Sequence, residues 1–113
     1  MTASPAIACL GAGRMGRGIA VAFAYAGHPV TMIDVKPRPA EQFMAIEAEA
    51  LGEVRQTLAS LARFGLLTDK DAESVIARVT IVPVSNMVAA LAGAGMVFEG
   101  VHRVGLGLLE PRA

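Results

Sequence analysis

Tryptophan is absent, tyrosine occurs once, and aromatic residues make up only 4% of the 113-residue chain. No aromatic platform is therefore available for stacking bases. Charge is also sparse: ten Lys and Arg balance ten Asp and Glu, so that 18% of residues are charged and the net charge is zero. No basic run stands out, and nothing points to nucleic acid. The single cysteine, Cys9, excludes an internal disulfide framework. It sits in an apolar run, Ile7 to Leu10, and reads as a small core residue rather than a nucleophile. No stretch approaches the ~18 apolar residues of a membrane span. No basic segment precedes the short N-terminal apolar stretch, so a secretory leader is not read there. A reducing cytoplasm is the expected location.

What the chain has in quantity is apolar mass, 54% of its residues. That suffices for the core of one domain and argues against general disorder. Residues 6–10 read as a buried strand ending at Gly11. Met15, Ile19, Ala22, Phe23 and Ala26 recur at helical spacing, and Gly27 is the expected stop. Residues 30–34 read as a second strand, followed by a break at Pro37 and Pro39. A long helix is expected from Ala40 to Phe64, with Leu51, Val54, Leu58 and Leu61 on one face and Gly65 as its stop. Thr68 and Asp71 have the spacing of a capping box for a short helix that runs to about Arg78. Ala72, Val75, Ile76 and Val79 are expected to face inward. Residues 80–84 read as a third strand near a sheet edge, because of Pro83. Ser85 or Asn86 is placed to cap a brief helix, and residues 96–101 read as a fourth strand. Strands alternating with helices predict an α/β fold, a Rossmann-like parallel sheet of about four strands with flanking helices.

Gly11-Ala12-Gly13-Arg14-Met15-Gly16 matches the dinucleotide pattern G-x-G-x-x-G. The match alone is weak in a glycine-rich chain; its position after a strand and at the start of a helix strengthens it. Asp34 follows Gly16 by 18 residues, near the ~20 expected of a ribose-binding acid. Gly11 allows the turn out of the strand, Gly13 lets backbone approach a pyrophosphate, and Gly16 allows close packing of the helix. The helix N-terminus offers free N–H groups and a positive dipole end to phosphate. Asp34 can accept both ribose hydroxyls, and its charge opposes a 2′-phosphate, which favours NAD over NADP. Lys36 and Arg38 argue the other way. They receive less weight because they lie beyond the strand end among prolines. Arg14 and Arg17 read first as solvated surface residues and second as phosphate contacts.

The run from Ile7 to Asp34, IACLGAGRMGRGIAVAFAYAGHPVTMID, resembles the start of the 3-hydroxyacyl-CoA dehydrogenases. LARFGLLTDKDAESVIARVTI, residues 61–81, resembles that family's helical hairpin and third strand, and AGMVFEGV, residues 94–101, its fourth strand. The resemblance implies an NAD-binding Rossmann domain from an enzyme that oxidises 3-hydroxyacyl-CoA to 3-ketoacyl-CoA in fatty-acid metabolism. Gly11, Ala12, Gly13, Arg14, Met15 and Gly16 match its pyrophosphate loop and Asp34 its ribose acid. The family's catalytic His–Glu pair falls after the fourth strand, so no catalytic residue is assigned. His28, in the turn before the second strand, reads as structural.

Residues 1–101 are thus expected to be a partial NAD-binding domain, and residues 102–113 an atypical tail. His102-Arg103 stand where the family has Pro-Glu, and Leu108 where it has a lysine. Gly105 and Gly107 interrupt any helix there. The expectation is a truncated or frame-shifted chain with an exposed sheet edge prone to self-association. Its partner is NAD, and acyl-CoA would be met only in a full-length parent. Two other readings stay open: a related hydroxy-acid dehydrogenase of the carnitine or gulonate type, and a non-catalytic nucleotide-binding module.

Overall fold

The computed structural model describes residues 5–99. The expected C-terminal tail, including His102, Arg103 and Leu108, lies outside them. In chain order the elements are β1 (Ile7–Leu10), α1 (Arg14–Tyr25), β2 (Val30–Ile33), α2 (Ala40–Arg63) and α3 (Asp69–Ile76). They are followed by β3 (Val79–Val82), a 3-10 turn (Val84–Asn86), α4 (Met87–Ala92) and β4 (Met96–Glu99). The sheet has the order β3-β2-β1-β4, and every pairing is parallel. The α/β fold and four-strand parallel sheet predicted above are what the chain adopts.

Alternation along the strands sets the core. Ile7, Cys9, Val30, Met32, Val79 and Ile81 lie on one face, in one cluster with Ala20 and Ala24 of α1, Ala50, Val54 and Leu58 of α2, and Val75 of α3. Ala8 and Ile33, buried as well, lie on the opposite face. The right-handed crossover rule carries α4 over that second face, and α4 packs against β2.

α1 turns a different side inward from the one its larger residues suggest. Gly16, Ala20 and Ala24, spaced by four, are buried against the sheet, while Met15 is 56% exposed and Ala22 and Ala26 face outward. Small residues on that stripe let the helix axis come close to the strands. Ile19 and Phe23 flank the stripe and are partly buried. α2 follows the predicted face more closely, burying Ala50, Val54 and Leu58.

The stops and caps agree with the sequence at most ends. Gly27 (φ 105°) and Gly65 (φ 77°) take the left-handed conformation just beyond α1 and α2. Thr68 and Asp71 form the reciprocal capping box of α3. At α4 neither Ser85 nor Asn86 caps the helix with its side chain; Ser85 Oγ donates instead to Asn86 Oδ1. Arg78 Nη1 donates to the Ala24 carbonyl at 2.8 Å, placing a cation at the C-terminal end of α1, where the helix dipole favours it. β3 and β4 are the sheet edges. On β4, Met96 and Val97 are each 47% exposed.

Candidate functional site

Strands β1 and β2 run side by side, so their C-terminal ends deliver two segments to one place. From β1 comes the glycine loop; from β2 comes Asp34. The Gly11 N–H donates to the Ile33 carbonyl at 2.8 Å and the Asp34 N–H to the Val82 carbonyl at 2.9 Å, which anchors both segments to neighbouring strands. β2 and β3 extend to one side of β1 and β4 lies on the other. The loop therefore stands where the winding of the sheet reverses, the usual ligand crevice of open parallel sheets.

The three glycines of the loop do different things. Gly11 has φ 114°, so the turn out of β1 needs a residue without a Cβ. A Cβ on Gly16 would press into the Gly11 carbonyl, so the first turn of α1 closes directly onto the strand end. Gly13 is exposed, and a Cβ there would meet no protein atom within 4 Å. The fold itself makes no demand for glycine at that point; a group approaching the backbone from outside would. Gly13 is the N-cap of α1, no side chain caps the helix, and no acidic residue lies in its first turn. The positive end of the helix dipole thus faces the open side of the loop. Ala12 is buried, and Arg14 and Met15 are exposed. An open backbone, an uncapped helix start and an adjacent carboxylate suit a dinucleotide pyrophosphate and ribose.

Two basic residues sit differently from their sequence reading. Arg17 is not a solvated surface residue: it is 8% exposed. Its Nε donates to the Ala12 carbonyl at 2.9 Å, and its Nη1 lies 3.6 Å from both Glu49 and Glu53 of α2. The glycine loop is thereby tied to α2 from behind. A hollow of about 450 Å³ between α1 and α2, lined by Arg14, Arg17, Gly18 and Glu53 among others, opens beside this contact. By sequence, Arg38 merely follows the strand among prolines. In the fold it returns onto Asp34, with Nε 2.6 Å from Oδ2. The Lys36 N–H points at Oδ1 at 3.4 Å. Asp34 is 4% exposed.

Other candidates have structural roles. Cys9 is fully buried, and burial pushes its thiol up to about 11. His28 Nδ1 lies 3.0 Å from the Pro5 carbonyl, and its ring meets Phe23 edge-on. Among the described residues no cluster of His, Cys, Asp and Glu is arranged to hold a metal ion. Among the same residues no helix is long and apolar enough to cross a membrane.

The profile described as 3-hydroxyacyl-CoA dehydrogenase, NAD binding domain, matches residues 6–103. The chain belongs to the 3-hydroxyacyl-CoA dehydrogenase family. Its cofactor is accordingly NAD. Among solved structures, M. tuberculosis FadB2 superposes with a TM-score of 0.71 at 23% identity, over 89% of this chain and 32% of that one. The (S)-3-hydroxybutyryl-CoA dehydrogenase of Ralstonia eutropha gives 0.69 at 26% identity, over 94% of this chain and 35% of that one. The Escherichia coli 3-hydroxybutyryl-CoA dehydrogenase gives 0.67 at 30% identity, over 92% and 21%. The chain therefore spans between a fifth and about a third of the length of these proteins. A comparison with curated protein sequences gives no match.

Proposed function

We propose that Gly11, Ala12, Gly13, Arg14, Met15 and Gly16 form the pyrophosphate cradle of the NAD site and that Asp34 receives the adenosine ribose. The observation that carries this is the meeting of the open glycine loop and the Asp34 carboxylate at the C-terminal ends of two adjacent parallel strands. Backbone N–H groups at the start of α1 orient the phosphates, and the Asp34 carboxylate accepts from the ribose hydroxyls. When bound, the nicotinamide supplies hydride chemistry. No described residue is assigned to the acid–base step; His28 is already engaged by Pro5 and Phe23.

The parent activity proposed is oxidation of a 3-hydroxyacyl-CoA to the 3-ketoacyl-CoA, in fatty-acid metabolism. Family membership supports it, and the Ralstonia eutropha and Escherichia coli proteins named above are 3-hydroxybutyryl-CoA dehydrogenases by their descriptions. Residues 1–101 are read as a partial NAD-binding domain and residues 102–113 as an atypical C-terminal tail. Acyl-CoA is the proposed substrate of a full-length parent. A buried, unpaired thiol fits a reducing cytoplasm. Calorimetric titration of the full chain with NAD tests the cofactor site. Binding by the native chain and its loss in Asp34→Ala and Gly13→Val are expected; unchanged binding in both variants would overturn the assignment.

A further inference from the structure

Asp34 is buried, yet it is not held in reserve for a ligand. Arg38 Nε sits 2.6 Å from its Oδ2, and the backbone N–H of Lys36 approaches Oδ1. Arg38 stands between Pro37 and Pro39, whose rings restrict the backbone on both sides. The guanidinium is therefore directed back over the carboxylate by a stiff segment, not by a free-swinging loop. Its side chain is 24% exposed, so it also reaches the surface beside Asp34. The Lys36 residue next to it is exposed.

Rossmann sites commonly place an acid at this strand end for the ribose 2′-hydroxyl, or a nearby arginine for a 2′-phosphate. This chain places both at one point. The acid's charge, which would otherwise repel a 2′-phosphate, is met by a fixed guanidinium. We propose that Arg38 is a specificity-determining residue that weakens discrimination against the 2′-phosphate, so that the site takes NADP as well as NAD. The inference rests on the assignment of Asp34 to the ribose subsite. With NAD, the ribose hydroxyls compete with Arg38 for the carboxylate. With NADP, Arg38 keeps its Nε on the carboxylate and offers its outer guanidinium nitrogens to the phosphate.

The test is calorimetric titration of the full chain with NAD and with NADP, for the native protein, Arg38→Met and Arg38→Lys. The native chain should bind NAD no more than about tenfold more tightly than NADP, a difference the size of one charge-assisted hydrogen bond. Arg38→Met should weaken NADP by about tenfold or more and leave NAD equal or tighter, so that the ratio widens. Arg38→Lys, which keeps the charge, should fall between the two. Circular dichroism of each variant confirms that the fold is kept. If Arg38→Met binds both nucleotides with an unchanged ratio, Arg38 is only a structural partner of Asp34 and the inference fails while the cofactor site stands. If the folded native chain binds neither nucleotide, the cofactor assignment fails and takes the inference with it.

Discussion

A methyl group at Gly16 would collide with the backbone of Gly11, whereas the same group at Gly13 would enter open space. The two substitutions should therefore separate folding from binding. Gly16→Ala forces the loop off β1 and should cost about 1–3 kcal/mol, the usual range for overpacking. Gly13→Ala should leave the thermal midpoint nearly unchanged and weaken NAD in calorimetry. Equal midpoints for the two variants would contradict this account. Cys9 supplies a second residue-scale prediction. Burial holds its thiol neutral by raising its pKa from 9.0 to about 11. A raised value means the neutral form is favoured by folding, so this contribution is complete below pH 9 and is lost as the pH climbs toward 11. Its size is on the order of 2–3 kcal/mol. Thermal melts between pH 8 and pH 11 should fall less steeply for Cys9→Ala than for the native chain, although Cys9→Ala starts lower. Iodoacetamide should label Cys9 only after unfolding.

Between elements, the contact that matters most to the site is the one from Arg17 to the Ala12 carbonyl, backed by Glu49 and Glu53. The arginine is buried but the two carboxylates are largely solvated, with side chains 64% and 39% exposed. Screening makes each ion pair small, so Glu49→Gln and Glu53→Gln should each cost less than about 1 kcal/mol. Arg17→Met should cost about 1.5–3 kcal/mol, because it removes a charged donor from a buried carbonyl. Urea melts of the three variants check this order. On the outer hairpin, Thr68→Ala removes half of a capping box and should cost about 1 kcal/mol. These contacts differ in how visible they were beforehand. The capping box, the stops at Gly27 and Gly65, and the glycine loop lie in short sequence patterns, and all were legible. The inward face of α1 was not, because Gly16, Ala20 and Ala24 carry almost no hydropathy signal and the eye follows Met15 and Phe23. The burial of Arg17 has no sequence signal, because its partners are a main-chain oxygen and an element more than thirty residues away. The return of Arg38 onto Asp34 is equally hidden, because prolines mark a break in secondary structure without saying where the chain goes after it.

At the scale of the whole molecule, β4 stands at one end of the strand order among the described residues, and its Met96 and Val97 are about half exposed. An edge strand with exposed apolar side chains invites a second strand. Light scattering of the full chain should show mass rising with concentration in the micromolar range, and Val97→Lys should suppress it. A constant monomer mass would contradict self-association through this edge.

Ile7 lies opposite Met96 in the register of β1 and β4, almost the full length of the described chain apart, while β1 and β2 are joined by one short helix. Closing the longer excursion costs more chain entropy and comes later in folding. The glycine loop and Asp34 both belong to the early, local part. During synthesis, the segment proposed to contact the adenosine half of the cofactor can be assembled while β4 is still being made. In amide exchange, β1–β2 should therefore be the last pairing to open and β1–β4 the first.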